Sequence, residues 1–344
     1  MILTLMRIVI ALAWIGMFAM GCSQPARRPA AGFRDKLSDY GFFTGALKDL
    51  SPAARVHLYE LATPLFSDYT VKKRFIALPE GSTMQYTDSS ALDFPDGTYL
   101  IKNFAYRDST GKEILLETRL LHKDVNDGQW KVMNYKWNAE QTEAEKWITG
   151  AQVPITLTDD AGHRISTNYQ IPNTNDCKRC HASAGTLIPI GPKARNLNYH
   201  GQLEKWATAG ILHGMPEIGK VTKFPVWNDS VHYTVNERAR AYLDVNCAHC
   251  HTKGGDADNT GLFLEYGQEA PSRLGILKGP VSAGNGAGGM DYDVVPGDPA
   301  ASILHFRMNS SEPGTAMPEL ARTITHREGV DLIAEWIRQL PKKP

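Results

Sequence analysis

Two short runs carry most of the chemistry that this sequence could do. Cys177-Lys178-Arg179-Cys180-His181 and Cys247-Ala248-His249-Cys250-His251 share one spacing, C-x-x-C-H. Two intervening residues put both thiols on a single turn of chain, with an imidazole immediately after them. That order suits two thioether bonds to the vinyl groups of a haem and one nitrogen on its iron. Cys177, Cys180, Cys247 and Cys250 are therefore expected to hold two covalently bound haem c groups, with His181 and His251 as iron ligands. The rival reading is a redox-active cysteine pair, or a zinc site built from all four cysteines. The histidine that follows each pair weighs against both. His249, between two cysteines, is expected to be exposed and not a ligand.

A second ligand for the C-terminal iron is expected to be a methionine, from Met290, Met308 and Met317. Met317 lies in Gly314-Thr315-Ala316-Met317-Pro318, a turn-like loop stiffened by its proline. Met308 shares a helical face with Ala301, Leu304 and His305 and reads more simply as core. A His/Met pair would raise the reduction potential relative to two histidines. The N-terminal iron has no such answer. His200, His213 and Met215 follow its motif, while His122, His163 and Met133 precede it. An iron left open on that side is a further alternative.

The rest of the chain must deliver and position these groups. Its 344 residues hold 37 Lys plus Arg against 37 Asp plus Glu, so formal net charge is zero. That balance gives no polyanion-binding surface, and nucleic acid is not an expected partner. Five cysteines are present. Four belong to the motifs, and Cys22 remains. Arg7 precedes an apolar run over 8–20, too short to span a bilayer, which ends in Gly21-Cys22. Residues 1–22 therefore read as a lipoprotein signal with Cys22 lipidated, against the alternative of an ordinary signal peptide with an incidental cysteine. Ser23 favours the outer over the inner membrane. A lipid anchor would tie the protein to a membrane without crossing it. Export also suits haem c attachment, which takes place outside the bacterial cytoplasm.

Residues 23–35 read as a tether. Residues 36–165 read as a β-rich domain, with strand-like runs at 97–106, 114–122 and 130–137 separated by Pro95-Asp96-Gly97, Ser109-Thr110-Gly111 and Asn126-Asp127-Gly128. Residues 166–230, rich in Pro and Gly, form the first haem-binding segment, with a helix predicted over 202–209. Residues 231–344 read as a cytochrome c domain holding the second haem. Val235, Ala239, Tyr242 and Leu243 make one helical face leading into Cys247. Thr325 and Glu328 predict a capping box, and Val330, Ile333, Ala334 and Ile337 an apolar stripe that Pro341 ends. The expected fold class is multidomain α+β: a β-rich N-terminal domain, a haem-binding segment and a mainly α-helical cytochrome c domain. The 284–289 glycine loop lacks the context of a phosphate cradle. Trp130, Tyr135 and Trp137 read as packing.

Further stretches are Pro64-Leu65-Phe66-Ser67-Asp68-Tyr69, Glu117-Thr118-Arg119-Leu120-Leu121, Tyr135-Lys136-Trp137-Asn138, Gly191-Pro192-Lys193, Asn196-Leu197-Asn198, Ala239-Arg240-Ala241-Tyr242-Leu243, Val295-Pro296-Gly297-Asp298-Pro299, Arg307-Met308 and Met317-Pro318-Glu319-Leu320. Together with the two haem motifs, this set resembles a bacterial dihaem c-type cytochrome family with a β-rich N-terminal region, over roughly residues 60–340. The resemblance implies a dihaem electron carrier, supports Met317 as the C-terminal iron ligand, and implies no catalytic residue and no known substrate. The chain is shorter than the family pattern between Asn198 and Gln202, so His200 is not carried over.

Electron transfer with redox partner proteins of the bacterial envelope is the leading expectation. One alternative is a dihaem peroxidase-like enzyme with an open N-terminal haem. Another is a surface binding protein that docks a partner through its β-rich domain.

Overall fold

Strand alternation between Val56 and Trp147 builds one six-stranded antiparallel sheet whose strands pair in chain order. They are β1 (Val56–Tyr59), β2 (Val71–Ala77), β3 (Tyr99–Arg107), β4 (Glu113–Lys123), β5 (Trp130–Trp137) and β6 (Ala144–Trp147). The structure, a computed structural model, describes residues 32–88, 90–159, 161–281 and 283–342. The signal segment, Cys22 and most of the tether lie outside the described residues. Arg34–Pro344 forms one compact unit.

The turns are set by short acids and glycines, as their sequences predict. Asp108 accepts from the backbone N–H groups of Thr110 and Lys112 between β3 and β4, and Gly111 takes a positive φ there. With the turns fixed, the period-two pattern decides what each face meets. One face packs on the preceding segment: Phe43 meets Phe75 edge-on, and the Tyr40 and Tyr135 hydroxyls lie 2.8 Å apart. On the other face Ile76, Leu100, Leu121 and Val132 share a core with Cys177, Leu197, Leu203 and Trp206. Burying each large apolar side chain contributes about 1.5–3 kcal/mol. This half of the sheet thus holds the first C-x-x-C-H run in place. A hairpin of β7 (Ala151–Thr158) and β8 (Arg164–Ile171) lays Ile155, Leu157, Tyr169 and Ile171 against Leu116 of β4.

The helices are α1 (Thr174–His181), α2 (Ala194–Leu197), α3 (Gln202–Thr208), α4 (Val235–Asn246), α5 (Ile303–Met308) and α6 (Arg327–Gln339). Capping boxes start α1 (Asn173 with Asp176) and α4 (Thr234 with Glu237). The box expected at Thr325 and Glu328 is not made. His326 is the N-cap of α6, and Glu328 instead accepts from the Tyr69 hydroxyl at 2.7 Å. Gly329 lets α6 approach α4: a Cβ there would clash with the Tyr242 hydroxyl.

The expected fold class needs correction. Among the described residues, 231–344 do not form a mainly helical cytochrome c domain. The described residues are about 26% strand and 21% helix, a β-rich fold organised on the six-stranded sheet. The apolar stripes that suggested a helical domain belong to α4 and α6 alone, which are 12 and 13 residues long, with a six-residue α5 between them. The Gly- and Pro-rich stretch between α4 and α5 closes its backbone bonds through local turns, which do not propagate a helix.

A strap between β1 and β2 ties the sheet to this C-terminal part. The Phe66 N–H donates to Asn246 Oδ1 at 2.8 Å, and the Phe66 ring stacks on His326 at 4.0 Å. Asp68 accepts from the N–H groups of Thr323 and Ile324 at 2.8 and 2.9 Å. His326 is enclosed by Phe66, Tyr69, Trp227 and Tyr242. Burial pushes its pKa down to about 4 from an ordinary 6.5. Between those values the unfolded chain takes up a proton that the folded one refuses, so stability falls as pH drops from 6.5 towards 4. The expected loss is on the order of 3 kcal/mol. His326→Phe should flatten that part of the profile. Thermal unfolding of both proteins across this pH range checks it, and parallel curves would refute it.

Candidate functional site

Helix α1 presents the first motif. Cys177 points down onto the sheet, 3.5 Å from Asn134 Oδ1 of β5, and burial raises its thiol pKa. Asn134 is itself held by donating to the Pro172 carbonyl. His181 closes the helix, with its Nδ1 2.9 Å from the Ile188 carbonyl. A carbonyl only accepts, so Nδ1 carries the proton and Nε2 keeps its lone pair. Burial pushes the ring down to about 4, which keeps it neutral at neutral pH.

Helix α4 runs directly into the second motif, with Cys247 as its C-cap. Burial pushes the Cys247 thiol up to about 12. The N–H groups of Cys250 and His251 both return to the Cys247 carbonyl, which curls the motif into one turn. The His251 Nδ1 lies 3.5 Å from the Thr260 hydroxyl, and burial pushes the ring down to about 4. Each motif therefore offers two thiols and one neutral imidazole from a single turn, the donor set that haem c attachment requires. A carbonyl partner behind a ligating imidazole is also what orients such a ring.

The two motifs lie against each other. Ligand atoms of Cys180, His249 and Cys250 all fall within 4.8 Å of one another. The Ala184 N–H donates to the Gly254 carbonyl at 2.9 Å, and Arg179 holds Asp256 at 2.9 Å and Glu319 at 3.4 Å. Hydrogen bonds from Cys250 and His249 lower the Cys180 pKa, and the same contact raises that of Cys250. His249 is not the exposed residue that the sequence suggested. It is half-buried, and its Nδ1 is closed off without a partner. Cys177 and Cys247 sit in separate apolar cores, so the four cysteines do not converge on one zinc site.

Met317 lies half-buried in a loop gathered by Arg322. That guanidinium donates to the carbonyls of Ser310, Met317 and Pro318 at 2.6, 3.0 and 3.3 Å. Glu319, two residues on, reaches Arg179 of the first motif. Met308 is buried in the core that contains Cys247, a packing position. Among the candidates for the N-terminal iron, His200 pairs with Glu60 and His163 with Asp159, and His213 is exposed. His122 and Met133 alternate with Asn134 and so belong to the opposite sheet face, where His122 stacks on Tyr99. Met215 packs against the core that holds Cys177. Sequence reasoning missed Asn134, His249 and Arg322, because nothing in their local spacing marks what they meet across the fold.

No protein-family profile, curated protein or solved structure matches this chain.

Arg322 supplies the loop with bonds that cost about 1.5–3 kcal/mol each when a charged donor is lost. Arg322→Met should therefore speed limited proteolysis within residues 309–323 by about tenfold or more, with the far-ultraviolet spectrum unchanged. An unaltered cleavage rate would show that the loop is held by other contacts.

Proposed function

We propose that this chain is a dihaem c-type cytochrome of the bacterial envelope that passes electrons between redox partner proteins. The observation that carries the reading is the paired geometry: two C-x-x-C-H turns, each with a neutral imidazole whose Nδ1 faces a backbone carbonyl or a hydroxyl, meeting at Cys180 and Cys250. A bound haem would supply one-electron chemistry. The residues here would do the holding. Cys177 with Cys180, and Cys247 with Cys250, would carry the thioether bonds. His181 and His251 would give Nε2 to iron, and Met317 would supply the second ligand at the C-terminal site. Contact between the two turns would keep the two redox centres neighbours in one body, the condition for a short electron path. Lipidation at Cys22 would anchor the protein to the membrane, with the outer membrane favoured. The family resemblance over roughly residues 60–340 supports the same reading.

A second reading is favoured by one observation. Two sulfurs and a ring nitrogen within 4.8 Å could hold a soft metal ion on Cys180, His249 and Cys250. Intact-protein mass spectrometry under denaturing conditions separates the two. Material matured in a periplasm with haem-attachment machinery should carry the added mass of two porphyrins, reduced to one in Cys177→Ser/Cys180→Ser. A chain with no porphyrin mass, but with a metal lost on denaturation, would favour the second reading. Met317→Ala should convert the C-terminal haem to high spin and lower its potential. A Met–iron near-infrared band that survives this substitution would remove Met317 from its role.

A further inference from the structure

The residues paired in register across β2, β3 and β4 are Arg74, Lys102 and Arg119, and Asn134 of β5 comes next. Residues directly opposed on neighbouring strands share a face. Three cations therefore stand in a row on the face that carries Cys177. Arg74 is only 7% exposed, and its Nη2 has no hydrogen-bond partner. Lys102 and Arg119 are half-buried and lie over the Phe104 ring, at 4.8 and 4.3 Å from its centroid. Among the described residues, the one carboxylate within ion-pair distance of the row is Glu117 on Arg119, and Glu117 also accepts from the Tyr169 hydroxyl. Burial, reinforced by Arg74 and Arg119, drives the Lys102 pKa well down. An anion facing the row would favour the proton on Lys102, and three cations against one carboxylate would then leave two positive charges. A sheet interior keeps such charges when an anion faces them.

We infer that Arg74, Lys102 and Arg119 form the anion site that receives the two carboxylates of the haem attached at Cys177 and Cys180. The inference rests on the haem reading of the first motif and extends it to residues outside that motif. Haem carries its vinyl groups and its two propionates on opposite edges of the ring. The row matches that polarity. It starts at Asn134, beside the Cys177 sulfur, and ends at Arg74, three strands away. At about 4.8 Å per strand the span is roughly 14 Å, the scale of a porphyrin with its substituents. Two carboxylates would also balance the two charges that the row carries once Lys102 is protonated beside them.

The test uses the full chain with its haems attached. Peptide mass spectrometry of the Cys177–Cys180 fragment comes first. A wild-type fragment without haem overturns the function proposed above, and this inference with it. With haem present, potentiometry follows on Arg74→Gln and Lys102→Gln. Loss of a cation stabilises the oxidised haem. At a fixed ambient potential, the reduced-to-oxidised ratio of the N-terminal haem should fall by about tenfold, with the C-terminal haem unmoved. Arg74→Lys and Lys102→Arg, which keep the charge, should restore the ratio to near wild type. Folded Gln variants with an unchanged ratio overturn the inference alone. A saturable shift of the wild-type haem by inorganic phosphate, lost in Arg74→Gln, would also overturn it, because the row would then serve a diffusible anion.

Discussion

The contact between Cys180 and Cys250 is the constraint around which the rest is arranged. Each cysteine ends a turn whose other thiol is sunk in its own core, so the turns can meet only if both cores are fixed relative to each other. The sheet fixes the first: Cys177 rests on Asn134, and α1 starts from a capping box at Asn173. The strap at Phe66 and Asp68 fixes the second, because Asn246 immediately precedes Cys247 and the Asp68 carboxylate holds residues 323 and 324. Arg179 closes the arrangement by binding acids from both C-terminal loops.

Away from this contact, burial dominates the electrostatics of both motifs. His181 and His251 are kept neutral by burial, the buried thiols of Cys177 and Cys247 stay protonated, and Arg74, Lys102 and Arg119 crowd the sheet face beneath the first motif. A protein interior tolerates such a set when the groups are reserved for a ligand that completes them. The two readings of the chain differ in what completes them, and both use the sulfurs of Cys180 and Cys250.

Much of the local structure was legible in the sequence. The three strand runs reappear as β3, β4 and β5, and the helix leading into Cys247 is α4. Period-two and period-3.6 patterns report such elements directly. The fold class was not legible in the same way. Amphipathic stripes at 235–246 and 327–339 suggested a helical domain. In the fold they mark two helices that cross at Gly329 within loops anchored to a β-rich body. The capping box at Thr325 failed because Tyr69, 259 residues from Glu328, competes for that carboxylate. His249 looked exposed because its neighbour in the other motif is distant in sequence. In each case a long-range contact outweighed a local signal.

The strap has a consequence for the order in which the molecule is made. It joins residues 66–69 to residues 323–328, so its bonds form only after both cysteine motifs have been synthesised. Until then the second turn lacks its brace, and its thiols lie on open chain. Any chemical modification of those two sulfurs would therefore fall naturally before closure, and the finished fold would act as a lock over whatever they had taken up.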